Sequence, residues 1–301
     1  MKTLITGTGG QLAWELERSA PQSTEIISAG INELDITNAS AVKTYIDTHK
    51  PDAVINAAAY TAVDKAEEAK ELAYAVNKEG IANLAKACGK GTYLLHISTD
   101  FVFEGTTFKP LSEDCKPNPQ SIYGASKYAG ELALELNAQG PWAILRTAWV
   151  YSSHGNNFVK SMLRFLNERD ELNIVVDQVG TPTWAKGLAH LCWTAVANKV
   201  QGLYHWSDAG VASWYDFAEA IQAEGLALGL LTKKAKLNAI PTEKYPLPAK
   251  RPAYSVLSKD KVLGTLPELE NIHWNLQLKT MMQELKTLQE APKEETVQNH
   301  G

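Results

Sequence analysis

The chain has 301 residues, of which 45% are hydrophobic and 21% are charged, and its formal net charge at pH 7 is −5. This mild acidity excludes the basic surface that a protein binding nucleic acid or an anionic membrane needs. The three scattered cysteines form no CxxC pair, and no apolar run approaches the roughly 18 residues of a membrane span, so we expect a cytoplasmic protein.

Short β-branched runs alternate with helix-like stretches in the first half of the chain. Strands are predicted at residues 2–6, 25–29, 52–59, 93–99 and 142–151. The stretches between them, at residues 11–20, 41–50, 73–90 and 121–138, have helical spacing. Nearly continuous apolar strands that alternate with helices are typical of a parallel sheet covered on both faces. We therefore predict an α/β protein built on a Rossmann-type doubly wound parallel sheet.

The second half is less regular and predicts a separate, smaller unit. Residues 157–168 are amphipathic, and the proline-rich segment 238–255 is predicted to be an ordered loop around a site. We predict an NAD(P)-binding domain at residues 1–150, to which residues from about 173 to 200 return. A C-terminal α/β substrate domain is predicted mainly at 151–288, and the polar residues 289–301 are predicted to form a disordered tail.

A glycine-containing turn joins the first predicted strand to the first predicted helix. In the sequence "TGTGGQLA" (6–13), Gly7, Gly10 and Ala13 have the spacing G-x-x-G-x-x-A. Glycine lets the backbone of such a turn approach a pyrophosphate, and the free N–H groups of the helix N-terminus bind its charge. A tight turn without a ligand is the alternative. The position at the first βα junction of an alternating chain favours dinucleotide binding.

The end of the second predicted strand leaves the choice between NADPH and NADH open. It reads Ser28-Ala29-Gly30, with neither an acid for a ribose diol nor an arginine for a 2′-phosphate. Asp35 and Ile36 follow shortly afterwards. Asp35 could hold the amino group of an adenine and Ile36 could cover its ring. The alternative is that Asp35 only caps a turn.

A tyrosine–lysine pair, Tyr123 and Lys127, stands on one face of a predicted helix. The same spacing occurs at Tyr74 and Lys78, so position must distinguish the two pairs. Tyr123 comes after the fourth predicted strand, which ends in "HISTD", and the carboxyl ends of parallel strands face the ligand crevice. A lysine cation lowers the phenol pKa of about 10, and Thr99 can hydrogen-bond the same oxygen. A carbonyl that receives hydride becomes an alkoxide and needs a proton. We predict that Tyr123 donates this proton and that Lys127 assists by stabilising the phenolate.

These motifs together resemble those of the extended short-chain dehydrogenase/reductases. The shared motifs are T-G-x-x-G, N-A-A-A (56–59), S-T-D (98–100) and Y-G-x-S-K (123–127). Longer blocks, such as "STDFVFEG" (98–105), "RTAWVYSSHGNNF" (146–158), "DQVGTPTWA" (177–185) and "PLPAKRPAYSVLS" (246–258), are similar to those of the dTDP-4-dehydrorhamnose reductase family. The resemblance covers nearly the whole chain in order and ends before the tail.

The resemblance implies that NADPH or NADH reduces the C4 ketone of dTDP-4-dehydro-β-L-rhamnose to give dTDP-β-L-rhamnose. This product would be used in L-rhamnose and surface polysaccharide biosynthesis. It implies Tyr123 as proton donor, Lys127 as its partner and ribose ligand, and Thr99 near the reacting oxygen. The other implied contacts are Asp100 and Trp149 for the sugar, Gly10, Gln11 and Leu12 for the pyrophosphate, Asp35 and Ile36 for the adenine, and Ala59, Tyr60 and Thr61 for the adenosine ribose.

Three positions depart from the family pattern. Ala13 replaces a glycine, and Phe101 replaces a tyrosine. Phe101 also stands where the related 4,6-dehydratases have glutamate, which disfavours elimination and leaves ketone reduction. Lys186 stands near the position where some relatives carry a glutamate, one of the carboxylates thought to bind a divalent ion at a dimer contact, and a lysine there argues against such a metal. We therefore predict no metal, while a homodimer remains compatible with the resemblance.

Further candidates come from the second half. Arg251 in the proline-rich loop is our hypothesis for a contact with the substrate diphosphate, because an anion needs a cation from the substrate domain. Asn157 is a candidate substrate contact in the turn that it forms with Asn156, and Trp149 could instead be a core residue. Two alternatives to this reduction stay open: a non-catalytic subunit resembling the regulatory subunit of methionine adenosyltransferase, and a 4-ketoreductase acting on another nucleotide sugar.

Overall fold

A computed structural model describes residues 1–290 of the chain. Its strands are β1 Lys2–Thr6, β2 Glu25–Ala29, β3 Ala53–Asn56, β4 Tyr93–Thr99, β5 Trp142–Thr147, β6 Val150–Tyr151, β7 Glu171–Val175, β8 Val179–Gly180, β9 Thr183–Trp184, β10 Gly202–Trp206, β11 Ala212–Ser213 and β12 Lys236–Ile240. Its α-helices are α1 Gln11–Arg18, α2 Ala39–His49, α3 Val63–Ala66, α4 Lys70–Tyr74, α5 Gly80–Ala87, α6 Ile122–Asn137, α7 Phe158–Glu168, α8 Ala185–Asn198, α9 Trp214–Ala227, α10 Asp260–Thr265 and α11 Trp274–Glu290.

The largest sheet has six strands in the order β10-β5-β4-β3-β1-β2. All neighbouring pairs are parallel, as between Thr6 and Ala29 at the ends of β1 and β2. The chain reverses its direction of winding at β1 and β3, and in doubly wound sheets a ligand crevice lies outside the carboxyl ends of the strands at such a point. The predicted fold class, a Rossmann-type doubly wound parallel sheet, is confirmed.

Both faces of this sheet are buried, which explains why its strands lack an alternation of polar and apolar residues. Consecutive residues of one strand point to opposite faces. One face packs with α2, α5 and α6, and the other packs with α1, α8 and α10. The first face carries Leu4, Val54, Leu94 and Ile144, and the second carries Ile5, Ile55, Leu95 and Leu145.

The chain returns to this sheet after its first excursion into the C-terminal unit. Helix α8 packs against α1, and β10 adds an edge strand beside β5. The returning segment therefore runs from Ala185 to Trp206, later than the predicted 173–200. The strand β7, at the start of the predicted segment, instead pairs with β12 in the C-terminal unit.

The C-terminal unit has a core of its own, built mainly from α7, α9, α11 and the β7–β12 pair. Helix α11 extends to Glu290, two residues into the predicted tail, and residues 291–301 lie outside the described residues. Within residues 1–290, no helix is both long enough and apolar enough to cross a membrane.

Two predicted elements are interrupted in the structure. The predicted helix 73–90 contains a π-helical turn at Ala75–Glu79, where Gly130 of α6 packs against the carbonyl oxygen of Asn77. The predicted strand 142–151 ends at Thr147, because Trp149 takes a left-handed backbone conformation with φ 47°. Both interruptions lie next to the crevice, where departures from regular structure are common.

Candidate active site

A cleft of about 640 Å³ lies at the carboxyl ends of β1, β3, β4 and β5. The glycine turn, the start of α6 and the segment after β5 form its walls. The residues that line it include Gly7, Gly9, Gly10, Gln11, Leu12, Ala59, Thr61, Thr99, Asp100, Phe101, Tyr123, Lys127, Trp149, Asn156, Trp214 and Arg251. The topology therefore brings the glycine turn and the tyrosine–lysine pair to one site.

The glycine turn has the geometry that a dinucleotide pyrophosphate requires. Gly7 has φ 80°, and a Cβ there would lie 2.7 Å from the backbone nitrogen of Ala58, so only glycine fits. Gly10 precedes α1 as its N-cap and offers no side chain to cap the helix. The first N–H groups of α1 are thus left for an anion in the cleft. Gly9, with φ 88°, also lines the cleft but was not among the predicted residues.

The segment after β3 is fixed by a single asparagine. Ala59 and Thr61 line the cleft, and Tyr60 between them is held by Asn77 from the π-helical turn. The Tyr60 N–H donates to Asn77 Oδ1 at 2.8 Å, and Asn77 Nδ2 donates to the Tyr60 carbonyl at 3.1 Å. Asn77 Nδ2 also donates to Ser126 Oγ at 2.9 Å, which ties this segment to α6.

The structure does not place the predicted adenine contacts in the cleft. Ile36 is 5% exposed and packs in the core beneath Gly80, so it offers no open face to a ring. Asp35 Oδ1 accepts hydrogen bonds from the N–H and the hydroxyl of Thr37 at 2.9 and 2.7 Å. Asp35 therefore caps a turn in the structure, while its contact with an adenine stays a prediction.

Tyr123 and Lys127 are positioned by the first two turns of α6. Ser121 caps this helix and accepts a hydrogen bond from the Gly124 N–H at 3.2 Å, so Tyr123 falls in the first turn. Lys127 lies one turn later and donates from Nζ to the Ile97 carbonyl at 2.6 Å. Both side chains reach the cleft beside Thr99, where β4 ends.

The electrostatics of the pair differ from the prediction. Burial raises the pKa of Tyr123 to about 12, which the neighbouring Thr99 hydroxyl offsets only in part and the charge of Asp100 reinforces. Lys127 does not contribute to this shift, its ammonium group donates to the Ile97 carbonyl, and its assistance to Tyr123 stays a prediction. Burial lowers the pKa of Lys127 itself to about 8, against the opposing effect of the Glu131 carboxylate. At pH 7 the site thus combines a neutral phenol with a mostly protonated lysine.

Asp100 forms the floor of the cleft beneath Thr99. It is 2% exposed, and burial raises its pKa to about 6. Thr99 Oγ1 donates to Asp100 Oδ1 at 3.1 Å, while Asp100 Oδ2 has no hydrogen-bond partner among the described residues. Asp100 thus supports Thr99, and its role as a sugar contact stays a prediction.

Two stacked tryptophans separate the cleft from the C-terminal unit. The rings of Trp149 and Trp214 are parallel to within 6° with centroids 3.6 Å apart. Trp214 Nε1 donates to Gln178 Oε1 at 3.2 Å, and this hydrogen bond holds the Trp214 ring of the stacked pair in place. Trp149 is partly exposed and lines the cleft, so it is a wall of the site rather than a core residue. Trp214 was missed, because its place in an ordinary helical sequence gives no local signal.

The two remaining predicted contacts differ in position. Arg251 lines the cleft and forms a bidentate pair with Asp64 of α3, with N–O distances of 3.0 and 2.7 Å. Asn157 caps α7 through Oδ1, and its Nδ2 donates to Gln11 Oε1 and to the Ser152 carbonyl. It does not line the cleft, whereas its neighbour Asn156 does.

A second cavity, of about 950 Å³, adjoins the cleft at Trp214 and Arg251, which line both. It lies in the C-terminal unit between α7, β7 and the loop after β12. Its lining combines cationic side chains with aromatic ones: Arg169, Lys244 and Arg251 with Phe158, Phe165, Trp214 and Tyr245. This composition suits a ligand that has both a flat ring and negative charge.

Lys186, on which the prediction of no bound metal rests, forms an ion pair with Glu284. Lys186 Nζ lies 3.0 Å from Glu284 Oε2. Burial raises the pKa of the buried Glu15, and the charge of Lys186 opposes that rise only in part. Within residues 1–290, no group of three or more His, Cys, Asp or Glu side chains is arranged to hold a metal ion. The absence of a metal stays a prediction.

A parallel Rossmann sheet whose crevice joins a glycine turn to a Tyr-x-x-x-Lys pair defines an extended short-chain dehydrogenase/reductase. A family model described as the RmlD substrate binding domain matches residues 1–287. The dTDP-4-dehydrorhamnose reductase of Burkholderia thailandensis is 42% identical over 272 residues, which cover 86% of this chain and 91% of that protein. The chain therefore belongs to the dTDP-4-dehydrorhamnose reductase family of NAD(P)H-dependent oxidoreductases, as its motifs predicted.

Solved structures agree with this assignment. The dTDP-4-dehydrorhamnose reductase from Clostridium acetobutylicum is 40% identical with a TM-score of 0.89, over 95% of this chain and 100% of that chain. The enzyme of the same name from Bacillus anthracis, in complex with NADP, is 35% identical with a TM-score of 0.89, over 94% and 99% of the two chains. The predicted cofactor class, NADPH or NADH, is thereby confirmed.

Proposed function

We propose that this chain reduces the C4 ketone of dTDP-4-dehydro-β-L-rhamnose, with NADPH or NADH, to dTDP-β-L-rhamnose. The observation that carries the proposal is the convergence of Tyr123, Lys127 and Thr99 on the cleft that the glycine turn borders. The free thiols of Cys88, Cys115 and Cys192 fit a reducing compartment, so we place the reaction in the cytoplasm. Its product would serve the synthesis of surface polysaccharide.

The residues present fit a nicotinamide dinucleotide, because the turn at Gly7 admits no Cβ and the N-terminus of α1 is uncapped. When bound, this cofactor supplies the hydrogen and the electron pair that reduce C4. Tyr123 donates its phenolic proton to the C4 oxygen, and the Thr99 hydroxyl hydrogen-bonds the same oxygen. A phenol whose pKa is about 12 keeps its proton at neutral pH and releases it only to a strong base, such as a forming alkoxide.

Lys127 stabilises the phenolate that this transfer leaves behind. It lies one turn from Tyr123 and is mostly protonated at pH 7, because burial lowers its pKa only to about 8. A cation beside a phenolate in a buried site lowers the cost of forming that charge. By stabilising the phenolate form, the charge of Lys127 opposes the rise in the Tyr123 pKa that burial causes, and so assists the proton transfer.

Phe101 supports reduction rather than elimination. Its ring meets the ring of Tyr123 edge to face, with centroids 5.5 Å apart and an interplanar angle of 72°. A dehydratase needs an acid at this point to protonate the leaving hydroxyl, and a phenyl ring cannot do so.

The second cavity supports a nucleotide sugar as the substrate. With the sugar beside Tyr123, the diphosphate would pass Arg251 and the thymine would enter the aromatic cavity beyond Trp214. Replacing Arg251 with alanine is expected to raise the KM for the sugar nucleotide with little change in cofactor affinity. The neighbouring exposed Lys250→Ala is the control, and an unchanged KM in Arg251→Ala would remove this contact from the proposal.

The decisive experiment follows NADPH and NADH oxidation with the 4-keto-L-rhamnose nucleotide generated in situ. Tyr123→Phe should lower kcat by about 10²- to 10⁴-fold, the usual contribution of a general acid, while cofactor binding persists. Tyr128→Phe, on the same helix but outside the cleft lining, is the matched control. Full activity in Tyr123→Phe would refute the proton-donor role, and no oxidation by the unmodified chain would refute the function.

A further inference from the structure

A carboxylate stands where the second strand of the sheet ends. The Gly30 N–H donates to Glu33 Oε2 at 2.9 Å, and the Glu33 and Leu34 N–H groups donate back to the Gly30 carbonyl at 3.2 and 2.9 Å. The segment after β2 thus folds back as a tight turn with the Glu33 carboxylate over its first residue. Sequence spacing does not predict this contact between Glu33 and Gly30, because Glu33 comes four residues after the strand.

This turn lies directly beside the glycine turn. The carbonyl of Ala29, the last residue of β2, accepts hydrogen bonds from the N–H groups of Gly7 and Thr8 at 2.9 and 3.3 Å. A Cβ placed on Gly30 would lie 3.0 Å from Glu33 Oε2 and 3.6 Å from the Thr8 carbonyl oxygen. The end of the second strand beside such a glycine turn is where Rossmann proteins hold the adenosine ribose, and an acid there hydrogen-bonds its 2′-hydroxyl.

We infer that Glu33 makes this chain prefer NADH over NADPH, its carboxylate accepting the ribose hydroxyls and repelling a 2′-phosphate. The inference rests on the proposed function, since it concerns the cofactor of that reaction. Because a family member binds NADP, the preference belongs to this chain's own residues rather than to the family.

The charges around the turn favour the same preference. A 2′-phosphate is recognised by arginine or lysine, and the sequence has neither from Ser28 to Val42, although it has two acids there, Glu33 and Asp35. On the other side, the Thr8 hydroxyl of the glycine turn donates to Glu17 Oε1 at 3.4 Å. Carboxylates thus lie near the glycine turn and near the turn after β2, where a 2′-phosphate would need a cation.

The test measures binding without turnover. Dissociation constants are determined by calorimetry for ADP-ribose and 2′-phospho-ADP-ribose, and for NADH and NADPH by fluorescence. We expect the forms without the 2′-phosphate to bind at least about tenfold more tightly. Glu33→Gln keeps the acceptor for the Gly30 N–H and should reduce that ratio at least fivefold, and Glu33→Lys should reverse it. Glu25→Gln, at the opposite end of the same strand, should leave the ratio unchanged.

Equal affinities in the unmodified chain, or a ratio that Glu33→Gln does not change, would overturn the inference. Circular dichroism confirms folding of each variant, and Glu33→Ala provides a second variant should Glu33→Lys not fold. The two proposals fail separately. Tight NADH binding without reduction of the keto sugar would refute the proposed function alone, whereas equal binding of both fragments with normal turnover would refute only the role of Glu33.

Discussion

The buried pair of Glu131 and Arg146 offers the sharpest test of how the site is supported. Glu131 lies one turn after Lys127 on α6, and its carboxylate is held by Arg146 of β5 at 2.9 and 2.6 Å and by the Ser98 hydroxyl. Glu131 and Arg146 are each 2% exposed. The substitution to make is Glu131→Gln, which keeps the shape of the side chain and an acceptor for Ser98 but removes the charge.

Two magnitudes follow from this geometry. Removing one partner of a buried ion pair leaves the Arg146 guanidinium uncompensated, which costs about 3–5 kcal/mol of unfolding free energy. The second effect is on Lys127, whose pKa the Glu131 carboxylate raises against burial. Losing an opposite charge one turn away lowers a pKa by about one unit or more. From a pKa of about 8, the protonated fraction of Lys127 at pH 7.5 would then fall about threefold.

Urea denaturation measures the first effect, and the pH profile of kcat/KM measures the second. The alkaline limb of the profile should move toward acid in Glu131→Gln, because Lys127 loses its proton at lower pH. Glu131→Asp is the matched control, since it keeps the charge while weakening the contacts with Arg146, and it should lose stability without moving that limb. A Glu131→Gln enzyme with unchanged stability and an unchanged profile would refute this reasoning.

Three further expectations follow from the same site. Gly7→Ala should weaken cofactor binding at least about tenfold in a fluorescence titration, because its Cβ would lie 2.7 Å from a backbone nitrogen. The control is Gly9→Ala, whose Cβ would meet no atom within 4 Å and which should weaken binding less. Equal losses of affinity in the two variants would contradict the steric argument. Gly180→Ala places a Cβ 2.7 Å from the Trp149 ring, so it should raise the sugar-nucleotide KM in steady-state assays and leave cofactor affinity unchanged. A change in cofactor affinity alone would contradict the role of Trp149 in the sugar side of the cleft. Because burial lowers the folded-state pKa of Lys127 to about 8 from an ordinary value of about 10.5, the unfolded state binds more protons between these values, so stability should rise with pH there. Urea titrations should show a smaller rise in Lys127→Met, and an identical rise would exclude Lys127 as its source.

The sequence by itself determined the local parts of this protein. Apolar strands without alternation predicted a parallel sheet buried on both faces, and the strands β1 to β5 form it together with β10. The glycine spacing predicted a turn that only glycine can form, as φ 80° at Gly7 shows. The position of Tyr123 after "HISTD" placed it at the correct end of the sheet. These features depend on periodicity, turn chemistry and chain order, which neighbouring residues encode.

Tertiary structure decided the properties that depend on residues distant in sequence. Burial raises the pKa of Tyr123 to about 12, opposite to the direction that the adjacent lysine predicted. Packing beneath Gly80 makes Ile36 a core residue, and the stack on Trp214 makes Trp149 a wall of the cleft. The turn that carries Glu33 back to Gly30 placed a carboxylate beside the glycine turn. Desolvation and the convergence of distant side chains arise only when the chain is folded, so no local pattern could contain them.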